Sequence, residues 1–362
     1  MIIRDMQLSR FSIPFAAPIR VGGQELNKRD GLLVAVRDDQ GHTGWGEAAP
    51  LPGLDTISLD QCQGELCPIR KAFADQALNW DSFSLTAPMM GLCPEIPGLN
   101  PISAFGVESA LAWLGLCSGQ WGIAGADELG IAVNGLFVPS PDPDRLPAQA
   151  KQLKASGFST VKIKIGRMDS DDEIRQILEL DSLFNHKLAL RLDANRSLDF
   201  AQYQSYFEAL KHLNIEYVEE PLKPEYDFFE AAQIPWPLAL DESLESYANL
   251  DEPFPKSLGA VILKPGSFQG VHGMAQAMEH LHTQGIKTVL SSSFNNTMGM
   301  SMLGLLANLY APETAHGLDT LKYFQPSDLS LGLSIAKGRM AIPVDLFGGG
   351  LNLASGLMEE IA

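Results

Sequence analysis

The sequence predicts an α/β fold: a β/α barrel with an α+β amino-terminal capping domain that the carboxyl-terminal segment completes. Three observations predict it. Lys164, Asp193, Glu219, Asp241 and Lys264 each close a short apolar run, at spacings of 29, 26, 22 and 23 residues. The first hundred or so residues lack that beat, and so does the chain from about residue 322. A strand, a helix and two short loops need roughly 20–30 residues, so each spacing reads as one β/α unit. The expected domains are 1–100 as an α+β cap or lid, 101–321 as the catalytic barrel, and 322–362 as a segment packing back on the cap.

The elements follow in order. MQLSRFSIPF and GLLVAVRD read as strands, DDQG (38–41) as a turn, and GWGEAAPLPG continues an antiparallel meander. Residues 60–80 carry helical spacing, and 83–102, rich in Pro and Gly, read as a long connection. A helix is expected from Ser103, with Phe105, Val107, Ala110, Leu111 and Leu114 near one face. Candidate barrel strands are 131–135, 160–165, 188–193, 215–219, 237–241, 259–264, 287–291 and a short last one near 314–318. Helical stretches such as DDEIRQILELDSLF and VHGMAQAMEHLHTQG lie between them, which argues a parallel sheet. About eight such units in roughly 190 residues favour a closed barrel over an open sheet. The tail after 322 has glycines at 348–350 and no such units.

Composition narrows the function. The chain has 362 residues, 45% hydrophobic and 19% charged, with a net charge of −18. That acidity disfavours nucleic acid and anionic membrane surfaces as partners. A small carboxylate substrate then needs a local positive site. Cys62, Cys67, Cys93 and Cys117 match neither a zinc pattern nor a disulfide framework. The start, MIIRDMQLSRF, carries charges and no apolar core, so no signal peptide is expected. The uncharged stretch Thr288–Pro312 is interrupted by serines and asparagines and is not a membrane span. The expectation is a cytoplasmic protein with no obligatory protein partner.

The beat carries the chemistry. Asp193, Glu219 and Asp241 are hard oxygen ligands at the carboxyl ends of successive strands, where barrel active sites form. Such a set without His or Cys suits Mg2+ or Mn2+. Any one of them alone reads equally as a helix N-cap; three in succession with flanking lysines do not. Glu220 and Glu242 stand next to two of them, and strand alternation lets only one of each pair point inward, without saying which. Lys162 and Lys164 are two apart and share a face, where mutual repulsion and burial are expected to lower a lysine pKa toward that of a base. Val161, Ile163 and Ile165 form the opposite, apolar face. Lys264 ends the strand across the barrel, so Lys164 and Lys264 flank one substrate. Arg191 shares a face with Asp193 and is a candidate partner of a carboxylate or of substrate. Ser291–Ser293 and Gly317 end the last two strands, where backbone N–H groups can hold a distal carboxylate or only make tight turns. His316, isolated near a strand end, reads more readily as structural than as catalytic. Nucleophile patterns and a glycine-rich phosphate loop are absent.

These residues resemble the enolase superfamily, in its muconate-lactonizing-like branch, whose fold is a modified TIM barrel. The matching features are the KxK pair (Lys162, Lys164), Asp193, the first Glu of EEP (Glu219), the Asp of DES (Asp241), and Lys264. Within the branch the chain is similar to the o-succinylbenzoate synthase family, through KRDGLLV (28–34), GWGEAAPLPG (44–53), AFGVESALA (104–112), RLDANR (191–196), SSS (291–293) and HGLDTL (316–321). The segment SFNNTMG (293–299) departs from the family version. The resemblance implies a carbon–oxygen lyase: metal-dependent dehydration of a cyclohexadiene carboxylate bearing a succinyl arm, a step toward menaquinone. It implies Asp193, Glu219 and Asp241 as metal ligands, Lys164 as base, Lys264 as the cation facing the intermediate, and Ser291 and Gly317 as substrate contacts. A lid is expected near 20–30. The alternative is an N-acylamino acid racemase or dipeptide epimerase with the same lysines.

Overall fold

β1 (Ile3–Val21) and β2 (Gln24–Asp38) form one long antiparallel hairpin, with Leu8 opposite Val34. Its tip turns on Gly22 and Gly23, both at positive φ, which glycine adopts without a Cβ penalty. The structure, a computed structural model, describes residues 1–78, 80, 98–122, 127–142, 144–247, 254–327, 329, 332–348 and 358–361. Most of the expected connection at 83–102 lies outside them, as do Cys93 and two of the glycines at 348–350. β3 (Thr43–Ala48) extends the hairpin, and β14 (Met358–Glu360) returns to the far edge, pairing Ser9 with Glu360. The cap is thus a four-stranded sheet in the order β14-β1-β2-β3.

Two helices cover this sheet. α1 (Leu59–Phe73) starts in a capping box between Ser58 and Gln61 and buries Cys62, Leu66, Ile69 and Phe73 along one face. α2 (Pro101–Cys117) starts two residues before the expected Ser103, because the Asn100 side chain accepts the Ile102 N–H and Pro101 takes the first helical position. It is buried from Ile102 to Gly115, not along one face. The reason is that it is covered twice. Gly44 and Gly46 let β3 lie directly on its backbone: a Cβ on Gly46 would stand 1.9 Å from Gly106 O. On the barrel side, Glu108 accepts the His272 backbone N–H at 3.0 Å and lies 2.9 Å from its Nδ1. α2, which the expected bounds 101–321 place with the barrel, packs mainly on β3 of the capping sheet.

The barrel is a seven-stranded parallel sheet: β5 (Gly135–Phe137), β6 (Thr160–Lys164), β7 (Ala189–Asp193), β8 (Ile215–Glu219), β9 (Leu238–Leu240), β10 (Leu258–Leu263) and β11 (Lys287–Leu290), neighbours in that order. The eighth position is reduced to two parallel bridges, Ser291 to Gly317 and Val133 to His316, which close the ring. The candidate strand 131–135 resolves into two pieces. β4 (Glu128–Ala132) leaves the barrel and pairs with β13 (Arg339–Pro343), which pairs with β12 (Ser334–Ala336). So, among the described residues, β12 and β13 of the carboxyl-terminal segment join the barrel end, while Phe324, which bridges Phe15 of β1, and β14 reach the capping sheet.

Outer helices are α3 (Arg145–Ser156), α4 (Ser170–Leu183), α5 (Phe200–Leu210), α6 (Gly270–Thr283) and α7 (Thr297–Tyr310), followed by the short α8 (Asp345–Gly348). After β8 and β9 the described residues form 3-10 turns, Phe228–Gln233 and Glu242–Tyr247, where the beat predicts helices. Pro221, Pro224, Pro235 and Pro237 crowd the first of these connections and leave no room for an α-helix.

Candidate active site

Strand register builds the site. Lys164 stands beside Asp193 and Asp193 beside Glu219 across β6, β7 and β8. Asp241 and Lys264 follow β9 and β10 directly. Val161, Ile163 and Ile165 are fully buried on the opposite face, which turns Lys162 and Lys164 inward. Five charged residues of the beat and Lys162 therefore meet at one barrel mouth.

The carboxylates close on the lysines. Lys162 Nζ lies 2.7 Å from Asp193 Oδ2 and 2.7 Å from Glu219 Oε1. Lys164 Nζ donates to Asp193 Oδ2 at 2.5 Å and to Asn195 Oδ1 at 2.8 Å. Lys264 Nζ lies 2.6 Å from both oxygens of Asp241. Burial would favour the neutral form of Asp193, yet Lys162 and Lys164 together hold it well below the usual carboxylate range. Glu219 goes the other way: burial and then the Asp193 charge push it up, and Lys162 only partly compensates. Two ammonium partners against one explain the difference. Lys162 is raised, not lowered as repulsion between the lysines predicts: burial lowers it, but Asp193, Glu219 and Asp241 outweigh that. Lys264 is raised for the same reason, burial being outweighed by Asp241.

The donor set fits a hard divalent cation. It consists of carboxylate oxygens at 0% exposure for Asp193 and Glu219, and Glu219 Oε2 is buried without a hydrogen-bond partner. Among the described residues, no three His, Cys, Asp or Glu side chains already converge as a ligand cage. Each carboxylate is turned to an ammonium group, the positive charge at hand.

The structure separates the paired acids. Glu219 joins the lysine cluster. Glu220, at φ +43, turns to the next strand end, where Oε1 accepts the N–H of Asp241 at 2.8 Å and of Ser243 at 2.7 Å. Asp241 meets Lys264, while Glu242 Oε1 accepts from Asn195 Nδ2 at 2.9 Å. Sequence reasoning missed Asn195 and the locking role of Glu220. The signal for Asn195 was its polar side chain two residues beyond Asp193 at a strand end.

Arg191 lies on β7 two residues before Asp193. It is 1% exposed, donates to Glu216 Oε2 at 2.7 Å, Asn134 Oδ1 at 3.1 Å and Ala315 O at 2.6 Å, and lies over the Tyr217 ring. Its Nε and Nη1 are engaged inside the barrel, and Nη2 is buried without a hydrogen-bond partner. His316 is fully buried and neutral, burial pushing it down to about 4; its Nδ1 accepts the Leu290 N–H at 3.0 Å, so it bridges strand ends. Ser291 and Gly317 are adjacent, a Cβ on Gly317 falling 3.2 Å from Ser291 Oγ. Their backbone N–H groups are not open to a carboxylate: they donate to Leu263 O and Leu290 O, and those of Ser292 and Ser293 to Gly317 O and Asn295 Oδ1. What this corner leaves for a ligand is the Ser291 hydroxyl.

The expected lid is the hairpin tip. Gly22 lies against Gly53, where a Cβ would stand 2.0 Å from Gly53 O. A pocket of about 250 Å³ opens between Leu54–Thr56 of the cap and Asp241, Lys264 and Gly266 of the barrel.

Comparisons with known proteins agree with this geometry. Residues 145–354 match the family model described as enolase C-terminal domain-like, and residues 3–114 match that described as MenC, N-terminal domain. The o-succinylbenzoate synthases of Pasteurella multocida and Haemophilus influenzae are 31% and 30% identical to the chain, over 88% of it and 90% of each of them. The chain belongs to the o-succinylbenzoate synthase family of the enolase superfamily. Solved structures share the fold. A dipeptide epimerase from Methylococcus capsulatus, complexed with Mg and a dipeptide, has a TM-score of 0.75 at 20% identity, over 94% of this chain and 97% of that one. A muconate lactonizing enzyme from Pseudomonas fluorescens has a TM-score of 0.73 at 16% identity, over 98% and 96%. Membership of this family makes the chain a lyase of a metal-dependent superfamily. Among the described residues no helix is long and apolar enough to cross a membrane.

Proposed function

We propose that the chain dehydrates 2-succinyl-6-hydroxy-2,4-cyclohexadiene-1-carboxylate to o-succinylbenzoate, a step toward menaquinone, in the cytoplasm. One observation carries the mechanism: Lys164 and Lys264 end strands on opposite sides of the mouth with Asp193, Glu219 and Asp241 between them. Family membership selects the substrate.

Asp193, Glu219 and Asp241 would hold Mg2+, or Mn2+, which supplies Lewis-acid stabilisation of the charge developing on the substrate carboxylate. Lys164 Nζ takes the proton from the carbon bearing that carboxylate. The same ammonium then gives the proton to the departing ring hydroxyl, so that water leaves and the ring becomes aromatic. Asn195 Oδ1, 2.8 Å from Lys164 Nζ, aims the amine. Lys264 keeps its proton, held by Asp241, and faces the flat anionic intermediate as a fixed cation. Lys162 stays protonated beside Asp193 and Glu219 and keeps their charge local. Ser291 contacts the substrate, and Gly317 leaves room for it.

Two opposed lysines also suit an epimerase, which needs one base on each face, and the fold is shared with dipeptide epimerases. The first experiment is an ultraviolet assay of aromatisation with Mg2+ and then with excess EDTA. Fast turnover abolished by EDTA is expected. No turnover by intact, metal-replete protein, with substrate α-proton exchange at Lys264 on an N-acylamino acid, would move the assignment to the racemase.

A further inference from the structure

Glu47 is a buried carboxylate, 1% exposed, that the chemistry above does not use. Gly44, Gly46 and Ala48 of β3 face α2, so alternation aims Glu47 the other way, at the barrel. There it meets SFNNTMG, the stretch that departs from the family version. The Asn296 N–H donates to Glu47 Oε2 at 3.0 Å and Asn295 Nδ2 donates to the same oxygen at 3.0 Å. Gly299 makes the approach possible, since a Cβ there would stand 2.1 Å from Glu47 Oε2. The carboxylate thus occupies the N-terminus of α7, which favours an anion.

The contact is passed on. Asn295 Oδ1 accepts the Ser293 N–H at 3.1 Å, and the Asn295 N–H donates to Ser292 Oγ at 3.0 Å. Ser292 Oγ also accepts from Thr320 Oγ1 at 2.8 Å, beyond Gly317. Arg29, likewise 1% exposed, reaches the same segment from the cap: its Nε donates to Phe294 O at 3.1 Å and its Nη1 to Pro50 O at 2.5 Å. Phe294 is held at φ +55 and packs edge-on against Phe15 of the cap.

We propose that Glu47, assisted by Arg29, is a positioning residue through which the capping domain sets the 291–295 segment and so the affinity of the site for its substrate. This rests on the reading of Ser291 as a substrate contact. The cap then acts on substrate binding through residues that touch neither substrate nor metal. Burial raises the Glu47 carboxyl to about 7 against the charge of Arg29 and the Asn296 N–H, which fits a group kept for its position.

The test uses the full-length enzyme and the cyclohexadiene carboxylate. Glu47→Gln, Asn295→Ala and the double variant are compared for KM, kcat and Mg2+ affinity by calorimetry. Each single variant should raise KM about tenfold with kcat within about twofold and Mg2+ affinity unchanged, the pattern of lost uniform binding. The double variant should be no worse than the poorer single one, because both act through one contact. A purely structural staple would lower thermal stability and leave KM alone, and that result overturns the proposal. So does a fall in kcat at constant KM. Should Glu47→Gln fail to fold, Asn295→Ala alone is read by the same split. Ser291→Ala separates the two readings. A raised KM there with a normal KM in Glu47→Gln overturns this inference; the reverse overturns the Ser291 contact and leaves the action of Glu47 on the segment.

Discussion

Lys162 Nζ stands 2.7 Å from both Asp193 Oδ2 and Glu219 Oε1, so one ammonium group joins two buried carboxylates of adjacent strands. Lys164 also reaches Asp193, but among the described residues Lys162 is the ammonium group that meets both carboxylates. Removing one partner of such a buried arrangement costs about 3–5 kcal/mol. Lys162→Met in EDTA should therefore shift the urea midpoint well below that of the parent chain. An unchanged midpoint would mean that the carboxylates take up protons and need no partner.

Lys164 is the proposed base, and Asn195 fixes its direction. Lys164→Ala should lose roughly 10²–10⁴-fold in turnover, the usual contribution of acid–base catalysis. Stopped assays with the cyclohexadiene substrate measure this; a variant with near-normal turnover sinks the mechanism.

Asp193 accepts from two lysines and is fully buried. Asp193→Asn keeps the shape and removes the charge, so divalent-ion affinity should fall. Calorimetric titration with Mg2+ gives the answer directly, and an unaltered isotherm rejects Asp193 as a ligand.

Gly46 has Gly106 O where its Cβ would be, at 1.9 Å, and backbone cannot yield as a side chain can. Gly46→Ala should destabilise by at least the 1–3 kcal/mol typical of overpacking, roughly, and separate α2 from β3. Thermal unfolding reads it; an unshifted midpoint would show that the sheet and α2 slide freely.

Glu47 gives a pH dependence with a definite sign. Burial, opposed by Arg29, raises its pKa from the ordinary 4.5 to about 7. Between those values the folded chain holds a proton that the unfolded chain has lost. Its contribution to stability is thus full below about 4.5 and declines as pH rises to about 7. Glu47→Gln should lack that decline, so the urea midpoint of the variant relative to the parent should rise between pH 5 and pH 8. A difference that stays constant with pH would place the carboxyl at its ordinary value.

The sequence by itself determined the strands that carry the site and the charge at the end of each. Apolar alternation and regular spacing are local properties, so Lys164, Asp193, Glu219, Asp241 and Lys264 could be set on one mouth without coordinates. The tertiary structure decided what spacing does not encode. Glu220 is excluded from the lysine cluster by its positive φ and by the N–H groups of Asp241 and Ser243. Arg191 turns its Nε and Nη1 to Glu216, Asn134 and Ala315, which no strand pattern places beside it. Lys162 is raised where the repulsion of its neighbour predicts lowering, because the attraction of facing carboxylates on other strands exceeds that repulsion. Glu47 meets Asn295 across 248 residues of chain, and only packing of the cap on the barrel brings them together. Local periodicity fixes which way a side chain points, but the partner it finds depends on segments whose proximity is created by folding.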